Sequence, residues 1–312
     1  MRVRLGTRGS PLALWQAHHV AEWLRGRWPG LAVDLSVMQT EGDRSADLPL
    51  VSASGTGLFV REIESALLAG SIDLAVHSLK DLPTETPDGL LIAATPPRHD
   101  ARDALVSRLA TRVEALPQNA RVATGSPRRR SQLLHARPDL VFAPVRGNVD
   151  TRVRKLERGA FDALILAVAG IERLGLTDAP YTPIPLSLCL PAPGQGALAL
   201  EIRSDDVATL RYVSPLDDAA TASAVAAERA FLAAISAGCL APAGAFATCS
   251  GDRLTLEAMV GSLDGTTIKR ESRDGARADA EALGAALATA LLDAGGDAIL
   301  REARATEGPD AP

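Results

Sequence analysis

The 312-residue chain is 46% hydrophobic and 23% charged, with only 3% aromatic side chains, so it is long enough for two or three domains with aliphatic, alanine-rich cores. A formal net charge of −5 gives no electrostatic case for a nucleic-acid partner. No apolar run approaches the length of a membrane span, and the opening MRVRLGTRGS lacks an apolar signal core, so a cytoplasmic protein with no membrane partner is expected. In chain order, residues 3–5 read as a short strand. Ser10 followed by Pro11 reads as a hydroxyl cap and first helical position, opening a helix that stops near Pro29. Residues 31–37 alternate as a strand, residues 57–69 have helical spacing, and residues 72–76 form a short apolar run suited to a strand buried on both faces.

A second alternating block follows the polar, proline-containing stretch 95–102. Strands are expected near residues 121–123, 141–145 and 163–168, with helices opening near Ser126-Pro127 and near Asn148. The proline-rich segment 179–193 reads as a connection, and 197–202 as a strand returning to the first block. From Asp217 an alanine-rich helix runs to about Ser236. Residues 254–260 and 267–271 suggest a small antiparallel sheet, and a last helix begins near Asp279. The expected class is α/β, with domain 1 from 1–97 plus 197–215, domain 2 from 98–196 and domain 3 from 216–312.

In doubly wound sheets, ligands sit beyond the carboxyl ends of the strands. Those ends are rich in donors here: Arg8 and Ser10; Ser78, Lys80 and Asp81; Thr124, Ser126, Arg128 and Arg129; Arg146 and Arg152; and Arg173. A basic edge on an acidic protein points to a ligand with many carboxylates or phosphates, which arginine grips through a two-pronged fork. Arg128 and Arg129 sit at a helix start, where positive charge opposes the macrodipole and a bound anion is expected. Arg130 and Arg154 read as surface side chains, His77 as a packed core histidine, and Trp15 with His18 and His19 as structural. Asp81 is either a surface partner of Lys80 or a positioned carboxylate.

Three cysteines, Cys189, Cys239 and Cys249, are too few and too irregular for a disulfide framework or a zinc site, and no metal is expected. Cys239 sits in a glycine- and proline-framed loop, either as an inert thiol or as an accessible one; Cys189 and Cys249 read as inert.

Several segments resemble the hydroxymethylbilane synthase (porphobilinogen deaminase) family. They are Thr7-Arg8-Gly9-Ser10-Pro11-Leu12-Ala13, Asp73 through the motif Val76-His77-Ser78-Leu79-Lys80-Asp81, Arg146-Gly147-Asn148 with Thr151-Arg152, Pro193-Gly194-Gln195-Gly196-Ala197 and Gly238-Cys239. The ordered series covers roughly residues 3–300. The resemblance implies two lobes like those of periplasmic binding proteins plus a small α/β domain, in a monomer. It also implies a dipyrromethane cofactor joined to Cys239 by a thioether. That primer accepts four porphobilinogen units, each losing ammonia, before hydrolysis releases linear hydroxymethylbilane. Each pyrrole carries an acetate and a propionate, so the resemblance makes Arg8, Arg128, Arg129, Arg146, Arg152, Arg173 and Lys80 carboxylate partners. Ser10, Ser78, Thr124, Ser126 and Gln195 supply neutral groups. Asp81 is implied as the catalytic carboxylate, stabilising the cationic azafulvene left by ammonia. Three positions depart from the family pattern: Thr56 stands where a lysine is common, Pro127 where leucine is usual and Ala237 where glycine is frequent.

Two rival readings remain: a non-catalytic two-lobed polyanion binder, which leaves Cys239 and Asp81 without roles, and a nucleic-acid binder built on residues 128–130, which lacks stacking aromatics.

Overall fold

The computed structural model describes residues 2–38, 60–176, 180–236 and 241–306. Cys239, Thr56 and Ala237 lie outside the described residues, as do positions 57–59 of the expected second helix.

The chain opens with β1 (Arg2–Arg8) and α1 (Pro11–Arg27). The Ser10 hydroxyl accepts a hydrogen bond from the Ala13 amide at 3.3 Å, and Pro11 occupies the first turn, where its missing N–H is no loss. β2 (Ala32–Met38) pairs in parallel with β1, followed by α2 (Arg61–Leu68), β3 (Leu74–Ser78), a 3-10 turn over Leu79–Asp81, and β4 (Leu90–Ala94). The chain crosses to a second lobe through residues 95–102. There it forms β5 (Asp103–Val106), β6 (Arg121–Ala123), α3 (Pro127–Ala136), β7 (Val141–Ala143), α4 (Val149–Glu157), β8 (Ala163–Ala167), α5 (Val168–Arg173) and β9 (Tyr181–Pro183). It crosses back to supply β10 (Leu198–Arg203) to the first lobe. The remainder is α6 (Val207–Val213), α7 (Ala219–Ala234), β11 (Ala243–Ser250), β12 (Arg253–Gly261), β13 (Ile268–Ala276), α8 (Ala280–Leu291) and α9 (Asp297–Thr306).

The two lobes repeat one plan. The first sheet runs β2-β1-β3-β10-β4 and the second β7-β6-β8-β5-β9. In each, three parallel strands are followed by one antiparallel strand adjoining a crossing segment: β10 against β3, and β5 against β8. Each lobe therefore donates or receives a strand at the hinge. The third domain is the antiparallel sheet β11-β12-β13, backed by α7 and α8. Its core joins Phe231 to Leu254, Leu256, Leu287 and Leu291; the first lobe packs Val3, Leu5, Val20, Leu24, Leu74 and Leu200. As composition required, aliphatic side chains do nearly all of this filling.

One stretch departs from the expectation that no apolar run approaches the length of a membrane span. The helical stretch Arg277–Thr306 is long and apolar enough to cross a bilayer on length and composition. Its backbone breaks at Gly295 (φ 102°), and Leu287, Ala288, Leu291 and Leu300 face the third domain's core.

Both crossing segments are clamped by Glu228 of α7, whose side chain is fully buried. Its carboxylate accepts from Arg98 Nη1 (2.6 Å) and Nη2 (3.1 Å) of the first crossing, from the Gly194 amide (2.6 Å) of the second, and from the Ala247 amide (2.8 Å) of β11. At Gly196 the crossings nearly touch. Its φ of 87° is left-handed, and an added Cβ would sit 2.6 Å from the His99 carbonyl oxygen.

Candidate functional site between the lobes

Two adjoining cavities lie at the cleft, one within the first lobe and one between the lobes, and Leu12 and Ser78 border both. The empty space in them, including space open to solvent, is about 410 and 520 Å³. The first is cut into the amino-terminal lobe and bears Arg8, Ser10, Gln16, His77, Ser78 and Asp81. The second lies across the interface and gathers Lys80 from the first lobe with Arg129, Arg152 and Arg173 from the second. Its described lining contains four cationic side chains and no carboxylate.

Local structure places each group. The last residue of β3, Ser78, accepts from Gln16 Nε2 at 2.8 Å, and the 3-10 turn that follows swings Lys80 and Asp81 into the cleft. Lys80 Nζ donates to Gln195 Oε1 at 3.4 Å. Burial, aided by the positive Arg129 and Arg128 and opposed by Asp81 and Asp103, pushes the Lys80 ammonium down to about 8. Arg173 is buried, and its pKa is pushed down to about 10 by that burial alone. Its Nη2 donates to the Gly196 carbonyl at 2.7 Å, its guanidinium lies 5.8 Å from the Trp15 ring centre across the cleft, and its buried Nε has no hydrogen-bond partner. Such a group is costly to leave unmade. Arg152 Nε donates to the Gly147 carbonyl at 2.7 Å. Burial is the main reason its pKa falls; Arg129 and Arg146 add to the fall, and Asp81 opposes it from the other lobe.

Arg128 and Arg129 are disposed differently from each other. In place of the bound anion expected at the basic start of α3 stands a group of the protein itself: Asp103, fully buried at the head of β5. Arg128 Nη1 donates to Asp103 Oδ2 (2.7 Å) and to the Leu190 carbonyl (2.5 Å), and Arg128 borders neither cavity. Arg129 donates to Asp103 Oδ1 from Nε (3.0 Å) and Nη2 (2.7 Å) and to the Ile165 carbonyl from Nη1 (3.0 Å), while presenting a face to the second cavity. Asp103 is accordingly held well below the usual carboxylate range despite its burial. Ser126 caps α3 through the Arg129 amide, and Thr124 Oγ1 accepts from the Ser126 amide at 3.2 Å, so both oxygens have local work and neither borders a cavity. Arg146 is partly buried beside α4 and is also off the cavity walls; its carbonyl accepts from Lys155. Gln195 is buried behind Lys80.

Arg130 is exposed, and Arg154 pairs with Asp150 one turn away at the surface. His77 is buried and bonded to Glu201 of β10 at 3.1 Å, yet its edge borders the first cavity. Three contributors escaped the sequence reading. Asp103, Gln16 and the Glu228 clamp each act through partners at least 19 residues away, and the one local signal is an acid opening the apolar run 103–106.

Two family profiles match the chain. One, described as porphobilinogen deaminase, dipyrromethane cofactor binding domain, matches residues 3–211; the other, porphobilinogen deaminase, C-terminal domain, matches residues 222–293. A porphobilinogen deaminase of Trichlorobacter lovleyi is 50% identical over 301 residues, covering 96% of both chains. Those of Geobacter sulfurreducens (49%; 96% of this chain, 94% of that one) and Syntrophotalea carbinolica (47%; 99% and 98%) are similar. A methionine-binding protein of known structure aligns over 69% of this chain and 89% of its own at 12% identity, with a TM-score of 0.42. By profiles that together span both lobes and the third domain, and by relatives near half identity along almost the whole length, this chain belongs to the porphobilinogen deaminase family.

Proposed function

We infer that the interlobe cleft is where this chain performs the family's transferase reaction, the stepwise deaminative polymerisation of four porphobilinogen molecules into hydroxymethylbilane. The observation that carries the assignment is the second cavity: Lys80, Arg129, Arg152 and Arg173 converge without a lining carboxylate, and the Arg173 Nε is buried without a partner. That donor set fits a dipyrromethane, whose acetates and propionates are planar carboxylates suited to arginine forks. When bound, the dipyrromethane supplies the nucleophilic pyrrole carbon on which the chain is extended. Lys80, Arg129, Arg152 and Arg173 hold carboxylates; Arg8, Ser10 and Ser78 receive those of an incoming substrate in the first cavity; Gln195 supports Lys80. Arg128 supports from behind the wall, and Thr124, Ser126 and Arg146 serve from the second lobe's rim.

Asp81 borders the first cavity and acts electrostatically on Lys80 and Arg152 of the second. As a carboxylate it stabilises the positive charge that spreads over the substrate pyrrole as ammonia departs, and it accepts from pyrrole N–H groups. It also passes a proton to the leaving amine and takes one from the new carbon–carbon bond.

The anchoring sulfur is Cys239. Two facts about the other thiols support this. Burial pushes Cys189 up to about 12, and burial also raises Cys249, whose Sγ donates to the Ala220 carbonyl, so neither offers a thiolate near neutral pH. The lobes divide at residues 97/98 and 196/197, domain 3 starts at 216, and the protein works as a cytoplasmic monomer.

The intact mass of the denatured chain tests this reading. A covalent two-pyrrole adduct is expected, lost in Cys239→Ala and kept in Cys189→Ala and Cys249→Ala. Active protein without the adduct, or an adduct that survives Cys239→Ala, overturns it. Asp81→Asn should fold, keep a primer already loaded and lose most turnover; near-normal turnover removes Asp81 from the chemistry.

A further inference from the structure

We propose that Asp103, which does not touch the cleft, is a positioning residue for Lys80, acting through the side-chain amide of Gln195. The proposal rests on the cleft reading above, in which Lys80 is a carboxylate-binding cation.

The argument is one of hydrogen-bond sense. An ionised carboxylate only accepts. Asp103 Oδ1 accepts from Gln195 Nε2 at 2.9 Å, and the Ala101 carbonyl accepts from the same nitrogen at 2.7 Å. Both hydrogens of the Gln195 amide are thus spent on oxygens that cannot donate. A flipped amide would set its own oxygen against those two, acceptor to acceptor, in a site where Gln195 is 1% exposed and no water can intervene cheaply. The orientation of an amide is ordinarily a matter of which neighbours it has; here the neighbours leave one choice. Gln195 Oε1 must point the other way, and Lys80 Nζ is there at 3.4 Å. The carbonyl end of the amide dipole is therefore aimed at an ammonium in need of it, since burial and the nearby Arg129 and Arg128 all act against its charge. Of the charged groups acting on Lys80, Asp81 favours the cation from the cleft side and Asp103 from behind.

Asp103 can do this because its ionised state is itself secured. Arg128 and Arg129 bring three charge-assisted bonds of 2.7–3.0 Å, and the Cys189 thiol donates at 3.4 Å. A neutral Asp103 could turn a hydroxyl to Gln195, leaving the Ala101 carbonyl alone to oppose a flip. The two arginines at the start of α3 therefore have a role for the first of them, Arg128, that needs no contact with ligand: it keeps Asp103 an acceptor.

The test reads Lys80 directly. Competitive acetylation of the full chain carrying Cys239→Ala, followed across pH 6–10 with the Lys80 peptide quantified by mass spectrometry, reports the Lys80 pKa without turnover. Gln195→Met, which keeps both Asp103–arginine pairs, should lower that pKa by about one unit. Asp103→Asn should lower it too, because it removes the negative charge behind Lys80 and leaves the Ala101 carbonyl alone to hold the Gln195 amide. The decisive comparison is the double variant. If Asp103 acts through Gln195 as well as through space, Asp103→Asn shifts the Lys80 profile less in the Gln195→Met background than it does alone. Additive shifts mean that Asp103 acts only through space, and overturn the proposal. Should Asp103→Asn fail to fold, an unchanged Lys80 profile in Gln195→Met overturns it alone. None of these readouts depends on the primer, so a failure of the cleft assignment would show in the adduct mass and turnover while leaving the Lys80 titration intact.

Discussion

Replacing Glu228 by alanine tests whether the hinge is fastened as described. The carboxylate is fully buried and accepts four hydrogen bonds, from both Arg98 guanidinium nitrogens and from the Gly194 and Ala247 amides. Removing one partner of a buried ion pair costs about 3–5 kcal/mol, because the other charge stays buried. Arg98 is well placed to suffer this: its side chain is 10% exposed, its Nε is committed to the Gln195 carbonyl, and its guanidinium stacks 5.0 Å from the Phe246 ring centre. The two orphaned amides each add about 1–3 kcal/mol unless water enters the space vacated by the side chain. A loss of about 5 kcal/mol is expected, a large part of the roughly 5–15 kcal/mol that holds a domain folded. Urea unfolding followed by tryptophan fluorescence and far-UV circular dichroism measures it. The double variant Arg98→Met with Glu228→Met separates the contributions. It removes both charges and should recover much of the ion-pair loss, yet stay less stable than the parent by about 2 kcal/mol, because the amides remain unpaired. A loss under about 1.5 kcal/mol for Glu228→Ala, or full recovery in the double variant, refutes the clamp.

Other consequences are as direct. Gly196→Ala combines a left-handed φ of 87° with a Cβ 2.6 Å from a backbone oxygen, so it should lower stability by more than about 2 kcal/mol in the same unfolding assay. Lys80, with a folded-state pKa near 8, is a cation that folding disfavours. Below pH 8 both states hold the proton and the penalty is complete; between about 8 and the unfolded value near 10.5 the unfolded state holds more protons, so stability rises with pH. Lys80→Met should abolish that rise and raise stability at pH 7 by up to about 3 kcal/mol, lessened by the solvent that still reaches the side chain. Binding of a polycarboxylate at pH 8–9 should restore the Lys80 proton, seen as proton uptake when calorimetric heats are compared in buffers of different ionisation enthalpy. Cys189 should resist a thiol-directed disulfide reagent in the native protein and react on denaturation, with peptide mapping as the readout.

The parts of the fold legible in the sequence are those whose cause is local. Ser10-Pro11 and Ser126-Pro127 announce helix starts because cap and first turn are adjacent in the chain, and both serines cap as expected. β10, LALEIR, is legible because four of its first five residues are apolar, as suits a strand covered on both faces. β4, β5, β9 and β11 were not read as strands. β5 begins with a buried acid, β9 ends on a proline, and β11, AGAFATCS, is mostly small residues of weak strand preference, held by its neighbours and the overlying helix. The third domain's last helix read as one element, and Gly295 breaks it.

The candidate site divides along the same line. Which cations sit at strand ends is written in the order of the chain; which of them face the cleft is not. Arg128 and Arg129 are neighbours in sequence with the same chemistry, and helical geometry turns them by about 100° from each other. That rotation buries one guanidinium on Asp103 and the Leu190 carbonyl and leaves the other to share Asp103 with the cavity wall. A carboxylate from a strand 25 residues earlier decides the matter. Without it, two adjacent arginines buried beside Lys80 would repel one another, and burial would drive Lys80 further toward its neutral form. With it, one negative charge stabilises two guanidinium groups and, through Gln195, steadies a third cation. The cleft can then keep four cationic side chains around one cavity before any ligand arrives. A preformed array of that kind spends little on reorganisation when a polycarboxylate enters. It also explains why the acid lies outside the cavity: placed in the lining, it would repel the carboxylates that the array is built to hold.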